Sequence, residues 1–258
     1  KVTIVQSGPE IAPALDDDIR KSLLAIAKAA GIEIVTDAKV KGIADDKSVE
    51  ADVGGKPQRF PADQVLLATG RPSNVSALEP QNAGIELDRS AVRVDEHLQS
   101  VSNPNVYAAG DAAGQHQHTP VAWYEGVLAA ENAVKGNTRK VDFRVFPTAV
   151  FTIPAIGQVG ATEKQARAAG AAIKASRMPF SHNPAAGVRD ETEGIVKVVY
   201  DEKSDRILGV HVIGAGAEDI IQIAAAGMLG GLTRSALASA HYVFPTLGGA
   251  IFDAMSAG

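Results

Sequence analysis

The sequence has no cysteine in its 258 residues. It therefore supplies no disulfide, no thiolate nucleophile and no cysteine-ligated metal of its own. No apolar run approaches the ~18 residues that a membrane-spanning helix requires. Basic residues are in deficit, with 25 Lys and Arg against 30 Asp and Glu. Because a basic excess is what binds phosphates and anionic lipid, nucleic acid and membranes are not expected as partners.

What the sequence does contain is typical of a globular protein. It is 45% apolar and 21% charged, and its length allows one large domain or two small ones. The 25 glycines and 13 prolines indicate many turns. We expect a cytoplasmic protein.

The first third has strand and helix patterns in alternation. Residues 1–6 alternate like a strand, and the run from Asp16 to Asp18 precedes an apolar stripe at helical spacing that ends at Gly31. The acidic run could bind a metal, but carboxylates in a first helical turn are favoured by the helix dipole, so capping is the preferred interpretation. Further strands are predicted at residues 33–35, in short pieces within 40–53, and at 60–68.

The rest of the chain changes character twice. Residues 72–106 are predicted to form a loose connection, and residues 106–135 a strand, a glycine-rich loop and a helix. Thr119 is predicted to cap this helix, with Pro120 at its first position. From residue 146 the pattern predicts antiparallel strands with helices: a hairpin of 195–200 and 206–213, and helices at 162–170 and 217–230.

The strongest local motif surrounds Gly110 and Asp111. Small residues in Val106–Gly114 would let a ligand approach the backbone, and Asp111 would accept hydrogen bonds from sugar hydroxyls. The helix that starts near Thr119 would stabilise an anion with its free N–H groups. A tight strand-to-helix turn with an Asp cap would use the same residues, and composition alone does not separate the two.

The motif resembles the second FAD-binding segment of the pyridine nucleotide-disulfide oxidoreductases, and further segments resemble that family in order. Leu66–Asn74 is similar to the segment that leaves the nicotinamide domain, and Val150–Gly160 to the entry of the dimerisation domain. Two later segments, Ile207–His211 and Pro245–Leu247, also fit. The resemblance extends over essentially the whole chain.

The resemblance implies FAD and NAD(P)H as cofactors. Asp111 would bind the ribityl or diphosphate part of the flavin, with Gly110 allowing close approach. The backbone of Thr119, Pro120, Val121 and Ala122 would face the flavin pyrimidine edge, where the helix dipole favours the negative charge of reduced flavin. Gly70, Arg71 and Gln6 would line the nicotinamide nucleotide, and the main chain at Val150 would meet the nicotinamide ring.

The implied fold is α/β plus α+β in three parts. Residues 1–71 would end a Rossmann-like NAD(P)-binding domain, residues 72–145 would end the FAD-binding domain, and residues 146–258 would form an antiparallel β plus helix dimerisation domain. No G-x-G-x-x-G fingerprint precedes Gln6. The chain is therefore expected to be the C-terminal part of a longer flavoenzyme and to bind both dinucleotides weakly by itself.

Two polar positions leave questions open. Gln6 stands where an acid usually binds the ribose 2′-hydroxyl of NAD, and neither it nor its neighbours through Pro9 carry a charge, so the choice of NADH or NADPH stays open. His116 and His118 could bind a metal, but no third ligand accompanies them, and no metal site is predicted.

The C-terminal segment departs from the family. Disulfide-reducing members carry a His-Pro-Thr segment followed by Glu. The resulting His-Glu pair serves the partner subunit's active site, where it protonates the leaving thiolate. In this chain Phe244 occupies the His position and Gly249 the Glu position, and neither can transfer a proton. The resemblance therefore implies a small-molecule electron acceptor other than a standard disulfide: a quinone, a metal ion or a second nicotinamide.

Two alternatives accompany this prediction. The chain could be a non-catalytic dimerisation module or fragment, or a true disulfide reductase that uses a displaced acid. A homodimer is predicted through residues 146–258, on the hairpin and on apolar residues of the helix at 217–230: Ile220, Ile223, Ala224, Gly227 and Met228.

Overall fold

The computed structural model describes residues 1–257, which form two compact units. The larger unit comprises Lys1–Val65 and the residues from Arg144 onward, and the smaller unit comprises Leu66–Phe143. The strands in chain order are β1 (Val2–Val5), β2 (Ile32–Val35), β3 (Ala38–Ile43), β4 (Val49–Val53), β5 (Lys56–Phe60), β6 (Leu87–Asp88), β7 (Ala91–Val92), β8 (Thr148–Val150), β9 (Ile156–Gly160), β10 (Ile173–Pro179), β11 (Ile195–Asp201) and β12 (Ile207–Ile213).

The α-helices are spread over both units. They are α1 (Asp17–Ala29), α2 (Thr119–Lys135), α3 (Glu163–Ala168), α4 (Pro184–Arg189), α5 (Ala217–Leu229), α6 (Arg234–Ala238) and α7 (Gly249–Ser256). Among residues 1–257, none of these helices has the length and apolar character that crossing a bilayer requires.

A five-stranded antiparallel sheet in the order β10-β11-β12-β9-β8 organises the larger unit. Strands β11 and β12 form the predicted hairpin, with Val198 opposite Val210. Successive side chains of a strand point to opposite faces of the sheet. In this sheet both faces are buried, each against different helices.

One face holds the main core. Its valines pack beneath α5 and α7, around the fully buried Phe180. The buried members from the sheet are Val159, Val196, Val198, Tyr200, Ile207, Val210 and Val212. Glycines on β9 permit this packing: a Cβ atom on Gly157 would lie 2.4 Å from the Ala217 carbonyl oxygen and 2.8 Å from Ile221 Cβ.

The other face of the sheet is covered by α1 and α3. Leu15 and Ile19 form a small core with Ile156 and Ile213 of the sheet. Lys197 lies on this face opposite His211 in the strand register, and both side chains are buried. The first 65 residues are therefore anchored to the sheet through α1.

The remaining strands of the larger unit form two small sheets. β1 and β2 are parallel, with Ile4 opposite Ile34, and α1 connects them. Strands β3, β4 and β5 form an antiparallel meander. This strand-helix-strand unit followed by a meander agrees with the prediction from the sequence.

The smaller unit contains α2, the short β6–β7 pair and turns. The side of α2 that includes Leu128 and Ala129 packs on the buried Leu98. The buried Asn132 donates to the carbonyl oxygens of His97 (2.9 Å) and Arg139 (2.8 Å). Its side-chain oxygen accepts from the amides of Thr138 and Arg139.

Three details of the sequence prediction were wrong. The strand expected at 60–68 is absent beyond Phe60: Leu66 and Leu67 are 89% and 71% exposed, and no strand among the described residues pairs with them. The strand expected from Val106 is reduced to one bridge, between Gln99 and Tyr107. Both segments have apolar β-like composition, but a strand also needs a hydrogen-bonding neighbour.

The third error concerns the start of α2. His118 is the N-cap and Thr119 is the first helical residue, so Thr119 does not cap the helix. The capping role predicted for the acidic run is confirmed, since Asp16 is the N-cap of α1 and its side chain accepts from the Asp18 amide. The helices expected at 162–170 and 217–230 are α3 and α5, shorter by one to three residues.

The contact between α5 and β9 provides a test of this packing. We expect Gly157→Ala to lower the free energy of unfolding by about 1–3 kcal/mol, because overpacking of a filled core displaces backbone. The matched control is Gly187→Ala inside α4, where a Cβ atom meets nothing within 4 Å. Denaturant unfolding should leave that control within about 1 kcal/mol of the wild type. Equal effects of the two substitutions would contradict the proposed packing constraint.

Candidate functional site

A tight turn formed by Gly110 and Asp111 is the centre of the candidate cofactor site. The chain arrives extended at Ala109 and makes one 3₁₀ turn over Gly110–Ala112. Gly110 has φ of +60°, and a Cβ atom there would lie 2.7 Å from Ala122 Cβ on α2. Backbone conformation and space therefore both require glycine at this position.

Buried Glu125 holds this turn in place. Its Oε2 accepts a hydrogen bond of 2.5 Å from the Gly110 amide, while its Oε1 is buried without a partner. Burial raises the pKa of the Glu125 carboxyl, and the hydrogen bond from Gly110 opposes that rise. The carboxyl group thus fixes the backbone of the turn from beneath.

Asp111 points its side chain outward while its backbone is tied down. The Asp111 carbonyl oxygen accepts a hydrogen bond from Ser73 Oγ, and Gln117 Nε2 donates to the Arg71 carbonyl oxygen at 3.0 Å. The Asp111 side chain is exposed. The smaller unit therefore brings the segment with Gly70 and Arg71 next to the Gly110–Asp111 turn, leaving the Asp111 carboxylate accessible to a ligand.

The N-terminus of α2 carries a positive partial charge that no nearby side chain of the helix compensates. No side chain caps it, and its first turn contains no acidic residue. Thr119 and Pro120 are exposed, whereas Val121 is buried and Ala122 is partly buried. Backbone N–H groups in a first turn have no intrahelical acceptor, so this end favours an anionic group. The exposed carboxylate and this helix end together fit the hydroxyl and ring portions of FAD, while the glycine is required by the close packing of the turn on Ala122.

The other predicted cofactor residues in the larger unit lie on separate elements. Gln6 follows β1, where its amide donates to Val35 and its carbonyl oxygen accepts from Ala38. Val150 is the last residue of β8 and is exposed. The carboxyl end of a parallel pair such as β1 and β2 is where dinucleotides bind in open α/β sheets, so Gln6 lies at a suitable edge.

Charges near Gln6 do not select one nicotinamide coenzyme. The basic side chain that follows in α1, Arg20, is paired with Glu10 and Asp17. The side chain of Gln6 makes a long contact of 3.4 Å with the Glu10 carbonyl oxygen. The neutral amide neither repels nor attracts a 2′-phosphate.

The C-terminal segment places Tyr242 where a side chain on Gly249 would extend. A Cβ atom on Gly249 would lie 3.0 Å from Tyr242 Cε2. The Tyr242 ring stacks on Phe252 at 4.5 Å, and its hydroxyl donates to Asp253 Oδ1 at 3.2 Å. Burial and the nearby Asp253 carboxylate raise the pKa of Tyr242. Phe244 is exposed, so this position presents an apolar ring to solvent.

The two histidines near Asp111 are in an aromatic and polar loop. The His116 ring contacts the edge of Phe143 at a centroid distance of 4.7 Å, and His118 is the N-cap of α2. Within residues 1–257, no group of three or more His, Asp or Glu side chains is arranged to hold a metal ion.

Sequence reasoning missed the buried charged residues. Glu125 follows the buried Val121 by four residues and precedes the buried Leu128 by three, so helical spacing alone would have placed it on the inner face of α2. Lys197 lies inside a strand whose neighbours on both sides are apolar, which is also a signal of burial. The carboxylates that pair with it come from distant segments and carry no such local signal.

Two family models match nearly all of the chain. Residues 1–126 match the model described as pyridine nucleotide-disulphide oxidoreductase, and residues 146–255 match the dimerisation domain of the same family. A mercuric reductase from Bacillus cereus is 36% identical over 90% of this chain and 37% of its own length. A dihydrolipoyl dehydrogenase from Bacillus subtilis (strain 168) is 32% identical over 98% of this chain and 54% of its own length.

Solved structures agree with this assignment. The Cu(II) complex of the HOCl-induced flavoprotein disulfide reductase RclA from Escherichia coli has a TM-score of 0.87 and 29% identity, over 99% of this chain and 58% of that chain. The chain thus spans about half the length of the relatives it matches. The family uses FAD and NAD(P)H. The chain belongs to the pyridine nucleotide-disulphide oxidoreductase family.

Proposed function

We propose that this chain is part of an FAD-dependent NAD(P)H oxidoreductase. The observation that carries the proposal is the Gly110–Asp111 turn, held by buried Glu125 against the open N-terminus of α2. The family membership supports the same cofactors. When bound, FAD would supply the hydride and two-electron chemistry that connects the nicotinamide to an acceptor.

Residues of the chain would orient the cofactors. The Asp111 carboxylate would accept hydrogen bonds from flavin hydroxyl groups, and the first turn of α2 would stabilise negative charge at the flavin ring edge. In the larger unit, Gln6 would contact the nicotinamide nucleotide and the main chain of Val150 its ring. The nucleotide contact predicted for Gly70 and Arg71, which lie in the smaller unit, also stays a proposal. We assign residues 1–71 to the NAD(P)-binding domain, 72–145 to the FAD-binding domain and 146–258 to the dimerisation domain.

The acceptor is proposed to be a quinone, a metal ion or a nicotinamide. Two-electron reduction of a quinone consumes two protons in total, which NAD(P)H and solvent supply, and reduction of Hg(II) to Hg(0) consumes none. Neither reaction needs a protein acid at positions 244 and 249, where the side chains are the phenyl ring of Phe244 and the hydrogen of Gly249. The mercuric reductases among the relatives favour a metal-ion acceptor.

A disulfide acceptor is the second candidate, and the dihydrolipoyl dehydrogenases among the relatives favour it. It would need a displaced acid. His241 is exposed in the loop before Phe244, and Tyr242 donates to Asp253, so these are the groups that could serve.

We also propose a homodimer through residues 146–258. The apolar residues of α5 that suggested this from the sequence do not form a free surface: Ile220, Ala224 and Gly227 are buried in the protomer's own core. Other apolar side chains of this region are exposed: Phe151, Ile153, Val188, Leu229, Val243 and Phe244. Obligate dimers bury such surface, commonly above about 2,000 Å².

The first prediction of the proposed function concerns flavin retention. In the FAD-loaded protein we expect Glu125→Leu to weaken FAD binding by about tenfold or more, because the buried Gly110 amide loses its acceptor at a cost of about 1–3 kcal/mol. Glu125→Gln retains an acceptor and should keep the flavin. The control is Glu131→Leu, which removes a surface partner of Arg139 on the same helix. Dissociation constants by flavin fluorescence decide this, and equal flavin affinity of Glu125→Leu and the wild type would contradict the role of Glu125.

The second prediction concerns the acceptor. With NAD(P)H as donor, kcat/KM should be far higher for menadione or Hg(II) than for glutathione disulfide or lipoamide, since a positioned acid contributes about 10²–10⁴ to disulfide exchange. The result that contradicts this is a preference for either disulfide. Loss of that activity in His241→Ala or Tyr242→Phe would then identify the displaced acid.

The third prediction concerns assembly. Light scattering should give twice the 26.7 kDa protomer mass at micromolar concentration. Val243→Asp should increase the monomer fraction, because a charge in an apolar interface is costly to desolvate. Val134→Asp, an exposed position on α2 outside the dimerisation region, is the control. A wild-type monomer would rule out the proposed dimer.

A further inference from the structure

The Asp16 carboxylate joins three elements of the larger unit. Its Oδ1 accepts from the Asp18 amide at 3.0 Å in the first turn of α1 and from Lys197 Nζ at 2.7 Å on β11. Its Oδ2 accepts from the Glu163 amide at 3.1 Å, at the first residue of α3. The buried Asp16 carboxylate therefore caps α1, accepts from the first amide of α3, whose own N-cap is Thr162, and pairs with a lysine on an inner strand of the sheet.

Lys197 is the cation that balances this carboxylate. Its side chain is 2% exposed, and its ammonium lies 2.7 Å from Asp16, 2.7 Å from Asp18 and 2.8 Å from Glu163. An ammonium has three N–H donors, so all of them have an acceptor. Burial alone would lower the pKa of Lys197, but these carboxylates outweigh burial and raise it.

The flanking groups complete the charge balance. Arg177 on β10 contacts Asp18 at 2.8 Å and Glu163 at 2.9 Å. The hydrogen bonds from Lys197 and then from Arg167 lower the pKa of Glu163 to about 2. His211 lies on the same face with its Nε2 at 3.1 Å from the Ala161 carbonyl oxygen, and burial lowers its pKa.

The segment between Gln6 and Asp16 depends on this anchor. Residues 7–15 form neither helix nor strand. The backbone–backbone hydrogen bonds of the segment run from the Asp37 amide to the Gly8 carbonyl oxygen, at 3.0 Å, and from the Leu15 amide to the Ala12 carbonyl oxygen, at 3.1 Å. Glu10 adds a long contact of its carbonyl oxygen with the Gln6 side chain and an ion pair with Arg20 of α1. The Leu15 side chain is buried against the sheet, and Asp16 follows immediately. The path of the segment is thus set at its far end by residues of β11 and α3.

We propose that Lys197 and Asp16 form a positioning pair for the nicotinamide nucleotide. By holding the start of α1 against the sheet, the pair fixes residues 7–15 at the carboxyl edge of β1, where Gln6 would contact the nucleotide. Neither residue touches the cofactor. The inference rests on the proposed NAD(P)H oxidoreductase function.

The test separates nucleotide binding from catalysis. In the FAD-loaded enzyme, Lys197→Met should raise the KM for NAD(P)H by roughly tenfold, because a loss of about 1.4 kcal/mol of binding free energy weakens an affinity by that factor. The kcat at saturating coenzyme and the bound flavin should change little. The matched control is Lys174→Met on β10, whose exposed lysine pairs with Glu202 at 3.0 Å. That control should leave KM unchanged.

A second readout does not require turnover. Hydrogen exchange without nucleotide should become faster in residues 7–15 and in the first turn of α1 for Lys197→Met, and stay unchanged for Lys174→Met. If Lys197→Met does not fold, Lys197→Met combined with Asp16→Asn removes the buried carboxylate charge together with its cation, and the same rise in KM is expected.

The outcomes are distinct. A folded variant with an unchanged KM overturns the inference, as does an exchange rate in residues 7–15 equal to that of the wild type. A wild-type enzyme that binds FAD but no NAD(P)H overturns the proposed function and the nucleotide role together. A rise in KM with faster exchange, absent in the control, supports the positioning role.

Discussion

The larger unit depends on the ammonium group of Lys197 being buried among carboxylates. Removing an ion from water costs several kcal/mol, and only close partners with good geometry offset that cost. Lys197 meets the condition because Asp16, Asp18 and Glu163 come from two other elements. Each partner is far away in sequence, so the ion can be buried only when α1, α3 and the sheet are already in place.

This requirement ties the first 65 residues to the sheet. The apolar contacts of Leu15 and Ile19 supply non-directional attraction, whereas the Asp16 carboxylate caps α1 and accepts a directional hydrogen bond from the first amide of α3. The core on the opposite face of the same sheet is filled by valines and by α5, which approaches closely because Gly157 has no side chain. The packing of α1 and α3 on one face is therefore specified by hydrogen bonds and ion pairs, and the packing of α5 on the other face by shape.

The smaller unit uses the same principle at the candidate flavin site. A buried carboxylate on α2, that of Glu125, holds a backbone amide, and the group offered to the ligand, Asp111, is exposed. Holding the turn from the inside keeps the outward carboxylate free of internal partners. The C-terminal segment differs, since Phe244 is exposed and the Tyr242 ring occupies the space beside Gly249. That arrangement has no proton donor at the two positions where disulfide-reducing members have theirs, which is why the acceptor proposal differs from theirs.

The sequence by itself determined much of the fold and the location of the cofactor motif. Helical spacing predicted α1 and α5, alternation predicted the β11–β12 hairpin, and the glycine-rich stretch at Gly110 predicted the turn before α2. These features are local, because period and turn chemistry act over a few residues. The strand predicted at 60–68 does not form beyond Phe60, because a strand also needs a neighbouring strand to form hydrogen bonds with its backbone.

Only the tertiary structure decided which charged side chains are buried and what they hold. Asp16 has the same local signature as any N-cap, and nothing near it in sequence indicates that its second oxygen accepts from the first amide of α3 or that Lys197 is its counterion. The apolar residues of α5 likewise fit a dimer interface or an internal core equally well by pattern. Long-range pairing depends on where distant segments meet, and that is set by the packing of the whole unit and not by the periodicity of any one segment.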